Sequence, residues 1–273
     1  MKTKHLLGSF ALGLGLALAL LWSLSGTHVA RADRSAERAS AERSAEASRR
    51  SPGTIYVSTT GADGPACGTA GSPCRTIPYA VDNRAQSGDT VSVAAGTFTE
   101  TFALKAGVVI QGAGAGVTIV DGEDVRGPMV TASGFDVGSN AVLRDLTIRR
   151  GNASWGGGVF IEDGAAPIIK DCSIQENTAT LSGGGLYIFD ASPTIENTQV
   201  LNNQAVRDGG GVCVYWYASP TIIGGQIAAN TAISYDGGGL LVGWYSSPII
   251  NGTQINGNTA GTSGGGAEVG EYS

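Results

Sequence analysis

Histidine is almost missing from this chain. The two that occur, His5 and His28, lie near the N-terminus, and from Val29 onward there is none. That removes the commonest general base and the commonest transition-metal ligand from nearly the whole sequence. Positive charge also runs out: beyond Lys170 the only basic residue is Arg207. Phosphate backbones are held by basic patches, so nucleic acid is not an expected partner. Long apolar runs are confined to about Leu6 to Trp22, and nothing later is long enough to cross a membrane as a helix. Long stretches with apolar residues at helical spacing are lacking as well, which excludes helical repeats.

Glycine is abundant instead, with 43 residues, and it is ordered. A Gly-Gly-Gly triplet stands at 156–158, 183–185, 209–211, 237–239 and 264–266, at spacings of 27, 26, 28 and 27. After each triplet comes a short apolar alternation, such as Leu186-Tyr187-Ile188. A proline follows in each complete unit: Pro167, Pro193, Pro220 and Pro248. Ten residues after each proline stands an asparagine, Asn177, Asn203, Asn230 or Asn258, and two further on an alanine. Self-similarity at this period marks a solenoid. The runs have period 2, with Leu186, Ile188, Ile195, Thr198 and Val200 inward and Tyr187 outward. The expected fold is all-β: a right-handed parallel β-helix of about 27 residues per coil, each coil holding three short strands. Triple glycine fits a tight corner where successive backbones stack closely. The asparagine column reads as a structural ladder, each side-chain amide bonding to the one above and below. A ligand role is the rival reading.

The unit Ile174-Gln-Glu-Asn177-Thr-Ala179, followed by Gly183-Gly-Gly-Leu186, resembles the repeat of the chlamydial polymorphic outer membrane proteins, over roughly 140–273. The usual Phe is here Ile or Val, and the usual Gly-Gly-Ala is Gly-Gly-Gly. The wider group is that of pectin-lyase-like right-handed β-helices. The opening stretch, with Tyr56-Val57-Ser58, Gly88-Asp89-Thr90-Val91 and Gly96-Thr97-Phe98-Thr99-Glu100, resembles the start of many bacterial members. The resemblance implies a bacterial protein, secreted or at the cell surface or outer membrane.

Residues 1–32 read as an export signal, with Lys2 and Lys4 first, the apolar run next, and Ala30-Arg31-Ala32 as a cleavage site. Residues 33–52 are a low-complexity Ser/Ala/Glu/Arg linker without a large apolar residue. Residues 53–89 hold a first strand at Thr54–Ser58, a loop between Cys67 and Cys74, and a short helix over Arg75–Ala85 with Thr76 as N-cap. In an exported chain, two cysteines so spaced are expected to form a disulfide. The helix is assigned as the N-terminal cap of the solenoid, because open strand edges invite aggregation. Residues 90–273 form the β-helix, with room for roughly seven coils at this period. The sequence stops in mid-coil without a capping repeat, and reads as a chain cut off there, or one whose last coil a partner covers. Cys172 should face inward and Cys213 outward, both unpaired.

Three groups carry candidate chemistry. Asp145 and Asp171 occupy equivalent positions on adjacent coils, roughly 5 Å apart, a spacing compatible with the acid and nucleophile of a retaining glycosidase. Their column continues as Asn197, Gly224 and Gly252, which is how a turn position looks. The catalytic motifs of pectin-lyase-like hydrolases and lyases are absent. Counting back from the prolines gives an aromatic column: Phe189, Trp216 and Trp244 at one position, Tyr217 and Tyr245 at the next. Such a strip suits sugar rings or a protein partner; stacking for stability alone is the competing reading. Asp208 and Asp236, each before a triplet, weakly suggest calcium, but the nonapeptide calcium repeat has another period. No metal site and no cofactor are expected.

Together these features point to an exported adhesive module that binds a polysaccharide or a surface protein. A polysaccharide lyase, hydrolase or epimerase is the alternative. Membrane association is expected only through the export signal or a C-terminal part beyond Ser273.

Overall fold

The computed structural model describes residues 51–123, 125–270 and 273. The export signal and all but the last two residues of the linker lie outside them. Residues 52–273 form one compact unit.

Four parallel sheets run along a solenoid. In the coil after Pro167 the chain passes through Ile168–Lys170 in the first sheet, Ser173–Gln175 in the second and Thr178–Ser182 in the third. It then turns through the glycine triplet into Leu186–Phe189 of the fourth. Each strand pairs with its equivalent one coil away: Ile169 with Ile195, Ile174 with Val200, Ala179 with Ala205, Leu186 with Val212. The expectation of three strands per coil is thus corrected to four. The run after each proline bends once, at Asp171-Cys172, and its two halves belong to different sheets. Between Thr90 and Asn251 the first sheet stacks seven strands, and Thr54–Val57 adds an eighth by pairing with Thr90–Val93. The sheet therefore begins before position 90, and the disulfide loop and helix are an excursion from its first coil. The third sheet has five strands and starts only at Asn152–Trp155.

The helix is an α-turn at Ile77–Tyr79 that widens into a π-turn at Ala80–Arg84. Thr76 Oγ1 accepts the Tyr79 N–H at 3.3 Å. Asp63 holds the entry, its carboxylate accepting the backbone N–H of Arg75 and Thr76 and the Thr76 hydroxyl. Ile77, Ala80 and Val81 are buried, and Lys105 Nζ donates to the carbonyls of Val81 and Ala85 at 2.9 and 2.8 Å. Cys67 and Cys74 form a disulfide.

The core is filled by columns with one apolar side chain per coil. Leu143, Ile169, Ile195 and Ile222 come from the first sheet, and Ile148, Ile174, Val200 and Ile227 from the second. Each such burial stabilises by about 1.5–3 kcal/mol. The glycine corner leaves no room for a side chain: a Cβ on Gly184 would lie 2.4 Å from the Gly210 carbonyl oxygen.

At the asparagine column, Asn177 Nδ2 donates to Asn203 Oδ1 at 2.9 Å, Asn203 Nδ2 to Asn230 Oδ1 at 3.0 Å, and Asn230 Nδ2 to Asn258 Oδ1 at 2.9 Å. Each amide also donates to a carbonyl and each Oδ1 also accepts a backbone N–H, as Asn203 does with Ile174 and Asn177. One coil earlier the column holds Gly151, whose Cβ would lie 1.9 Å from the Gly157 carbonyl oxygen. An asparagine does not fit there, so the ladder starts at Asn177.

Candidate functional site

Asp145 and Asp171 both have left-handed backbone, with φ of 58° and 51°, and so do Asn197, Gly224 and Gly252 below them. The column makes the bend between the first and second sheets, a conformation that Asp, Asn and Gly adopt most readily. The Asp145 carboxylate is tied to Arg144 Nε at 2.7 Å and to Gln111 Nε2 at 3.3 Å. Lys170 pairs with Glu196 at 3.0 Å.

The aromatic residues gather on the outward face of the fourth sheet and on the turn that follows it, with Trp155 at the end of a third-sheet strand beside them. Rings touch in an unbroken series. Trp155 and Phe160 meet Tyr187 at centroid distances of 6.5 and 5.7 Å, Tyr187 meets Phe189 at 6.4 Å, and Phe189 stacks on Trp216 at 6.4 Å. Trp216 meets Trp244 at 5.8 Å, and Tyr217 stacks on Tyr245 at 5.1 Å. Beneath them, Tyr187, Cys213 and Leu241 form a small apolar cluster separate from the main core. Cys213 faces outward yet is buried under these rings. Trp216, Tyr217, Trp244 and Tyr245 remain 41–56 % exposed.

Counting back from the prolines aligns Phe189 with Trp216, and the strand register corrects this. Phe189 pairs with Tyr215, because the turn after Phe189 is one residue shorter than the turn after Tyr215. Phe189 is the last residue of its strand, whereas Trp216 and Trp244 lie in turns. Four rings of the array, Trp155, Phe160, Tyr187 and Tyr215, are not among the expected binding residues. Tyr215 is found by counting four forward from Gly211, as Phe189 is from Gly185. Trp155 stands directly before a triplet, where Ser182, Asp208 and Asp236 stand in later coils.

The turns carrying the exposed rings have an unusual backbone. Trp216, Tyr217, Trp244 and Tyr245 have φ of 57°, 57°, 50° and 60°. In the first of these coils the same two turn positions are Asp163 and Gly164, residues suited to a left-handed pair. A bulky side chain there is a genuine outlier, costing about 1 kcal/mol or more per residue.

Among the described residues, one cavity lies beside Trp155 and another beside Trp244. Near Trp155 the cavity is about 600 Å³, with Arg126, Pro128, Asn152, Ser154 and Phe160 among its walls. It exists because the third sheet has no strand there in the coil before, which crosses from Gly127 to Val130 while the coil below runs through 153–158. Near Trp244 the cavity is about 300 Å³, between Tyr215, Trp244, Asp208 and Asp236. Asp208 accepts the Ser182 hydroxyl and the Asp236 N–H, both at 3.4 Å. Asp236 Oδ1 takes the Thr262 hydroxyl and, at 2.9 Å, the Ser263 N–H. Burial, then Cys213 and Asp208, push the Tyr215 phenol above its ordinary pKa, so it stays a neutral donor.

The model of the right-handed beta helix region matches residues 89–260, more than half of the chain. The chain belongs to this family. The β-helix matched is the stack of four sheets whose outward face carries the track. No curated protein and no solved structure gives a significant match.

Proposed function

We propose that this β-helix is an exported binding module, secreted or held at a bacterial cell surface, that lays a polysaccharide along the aromatic track. The observation that carries the reading is the pair of Trp-Tyr turns. Four large rings are kept exposed, at positions where the backbone favours Asn, Asp or Gly, and the same turn two coils before Trp216 uses Asp163-Gly164. Stacking repays part of that cost, by about 0.5–1.5 kcal/mol per ring pair. A fold selecting only for stability would not place them there. Exposed flat rings beside carboxylates and a cationic wall are the surface that sugar rings meet through stacking and hydrogen bonds. From the coil of Trp155 to the coil of Trp244 there are three inter-strand steps, about 15 Å, the reach of a short oligosaccharide.

Binding of a panel of neutral, acidic and amino oligosaccharides, followed by tryptophan fluorescence and calorimetry, tests the reading. Saturable binding lost on Trp216→Ala and Trp244→Ala, with unchanged melting, is expected. Binding that ignores both substitutions would remove the track from the reading, and binding only to protein ligands would replace the glycan by a surface protein. The enzymatic alternative draws no support from the geometry of Asp145 or Asp171, whose left-handed backbone makes a bend. No new unsaturated or reducing ends are expected from polyuronates, and turnover abolished by Asp171→Ala would reverse the assignment.

A further inference from the structure

The smaller cavity lies where one column turns to glycine, at Gly243 and, one coil on, at Gly270, both of which line it. Gly243 pairs with Tyr215, which pairs with Phe189, so in this column a glycine follows two rings. Unlike the glycines that open the triplets, Gly243 does not have a left-handed backbone. Its Cβ would meet only the Tyr215 ring, at 3.2 Å. Neither conformation nor backbone crowding demands a glycine here. What its absent side chain leaves is the hollow between Tyr215 and Trp244.

The walls of that hollow are not electrically neutral. No ion pair reaches Asp236 among the described residues, and Arg207 Nε stands 3.8 Å from Asp208 while its guanidinium lies 5.3 Å from the Tyr235 ring centroid. From Asp171 to the end of the sequence there are eight acids and one arginine. A cation entering the hollow would gain from both carboxylates and from the face of Trp244. Calcium suits it poorly, because that ion takes about 6–8 oxygen ligands and Leu241, Gly243 and Trp244 offer no side-chain oxygen.

We propose that this hollow is a subsite for a sugar ring carrying a protonated amine. The ring stacks against Trp244, the ammonium reaches Asp236 and Asp208, and the Tyr215 hydroxyl donates to a ring substituent. The proposal rests on the glycan-binding reading and names the class of glycan that the acidic end of the track selects.

The test compares glucosamine tetramer with its fully N-acetylated counterpart by calorimetry at about pH 5.5, where an ordinary amine is protonated and ordinary carboxylates are ionised. The amino tetramer should bind about tenfold tighter, the difference one charge-assisted hydrogen bond supplies, and the preference should shrink as salt is added. Asp236→Asn keeps the oxygen that holds Thr262 and Ser263, so the fold is retained. It should bring the two tetramers to about equal affinity. Gly243→Phe, which restores the ring of the preceding coils, should block both. Equal binding of the two tetramers by the native protein, a preference that survives Asp236→Asn, or a requirement for calcium would overturn the proposal. If acetylated or other neutral oligomers bind and depend on Trp216 and Trp244, the track stands while the amine subsite falls. If no oligosaccharide binds at all, both fall.

Discussion

Asn177 and Asn203 bond to each other twice across one coil: the Asn203 Oδ1 accepts both the side-chain Nδ2 of Asn177 at 2.9 Å and its backbone N–H at 3.0 Å. The contact is fully buried, and the Asn203 amide also serves Ile174 and Asn230. Replacing Asn203 by Ala leaves the Asn177 N–H without its acceptor in the interior and strips the Asn230 Oδ1 of one of its two donors. An orphaned group costs about 1–3 kcal/mol and the second loss adds to it, so Asn203→Ala should lower unfolding free energy by about 2–4 kcal/mol in urea titrations. Asn258→Ala, at a partly buried position that partners only Asn230 in the column, should cost less. Equal losses at both positions would mean that the ladder is not limited by burial.

The ladder also shows why some of this molecule was legible and some was not. A residue recurring at every coil announces a position whose environment recurs, so Asn177 to Asn258 and the glycine corner could be read from spacing. Asp145 and Asp171 shared a column with asparagine and glycine, and that substitution pattern is the chemical signature of a left-handed bend. The track was read only in part. Its rings come from strands, turns and the residue before a triplet, so no single offset collects them, and the short turn after Phe189 shifts the count by one. The two cavities were not legible at all. One depends on a missing strand beside Trp155, and the other on missing side chains at Gly243 and Gly270; an absence leaves no mark in a repeat pattern.

Asp121 lies buried at the end of its strand, between Arg149 and Arg150. Burial by itself would raise its pKa, but hydrogen bonds from Arg150 and Arg149 outweigh that and hold the carboxyl below its ordinary value. A carboxyl lowered in the folded state stabilises fully above its unfolded pKa of about 3.9. That stabilisation is lost as pH falls through the lower folded value. Asp121→Asn should be less stable at neutral pH, and should lose less stability than the native protein as pH drops below about 4. Parallel acid-denaturation curves for the two proteins would show that this ion cluster does not contribute to the acid limb.

Cys172 and Cys213 are both free and buried, on opposite sides of the solenoid wall. Burial pushes the Cys172 thiol up to about 12 and raises that of Cys213 as well, so neither presents a thiolate at neutral pH. A thiol reagent such as dithionitrobenzoate should label neither in the native protein and both after unfolding without reductant. The covers differ: Cys172 lies in the main core, Cys213 in the small cluster with Tyr187 and Leu241. Tyr187→Ala should therefore speed labelling of Cys213 and leave Cys172 protected. Simultaneous exposure of both would mean that the outer cluster and the core open as one unit.

The strongest separation of stability from function comes from exchanging one turn for another within the same molecule. Asp163-Gly164 and Trp216-Tyr217 occupy equivalent left-handed turns two coils apart, with φ of 55° and 78° against 57° and 57°. Writing Trp216→Asn with Tyr217→Gly installs residues that accept this conformation. It should recover about 2–4 kcal/mol of backbone strain, about 1–2 at each of the two residues, and forfeit the three ring contacts with Phe189, Trp244 and Tyr245. At about 0.5–1.5 kcal/mol per ring pair, the two effects nearly cancel, so the melting temperature should stay close to that of the native protein. Glycan binding should not survive, because the middle of the track is gone. If the exchange instead unfolds the coil, the rings are there to hold the solenoid together, and the case for a ligand at this turn is lost with it.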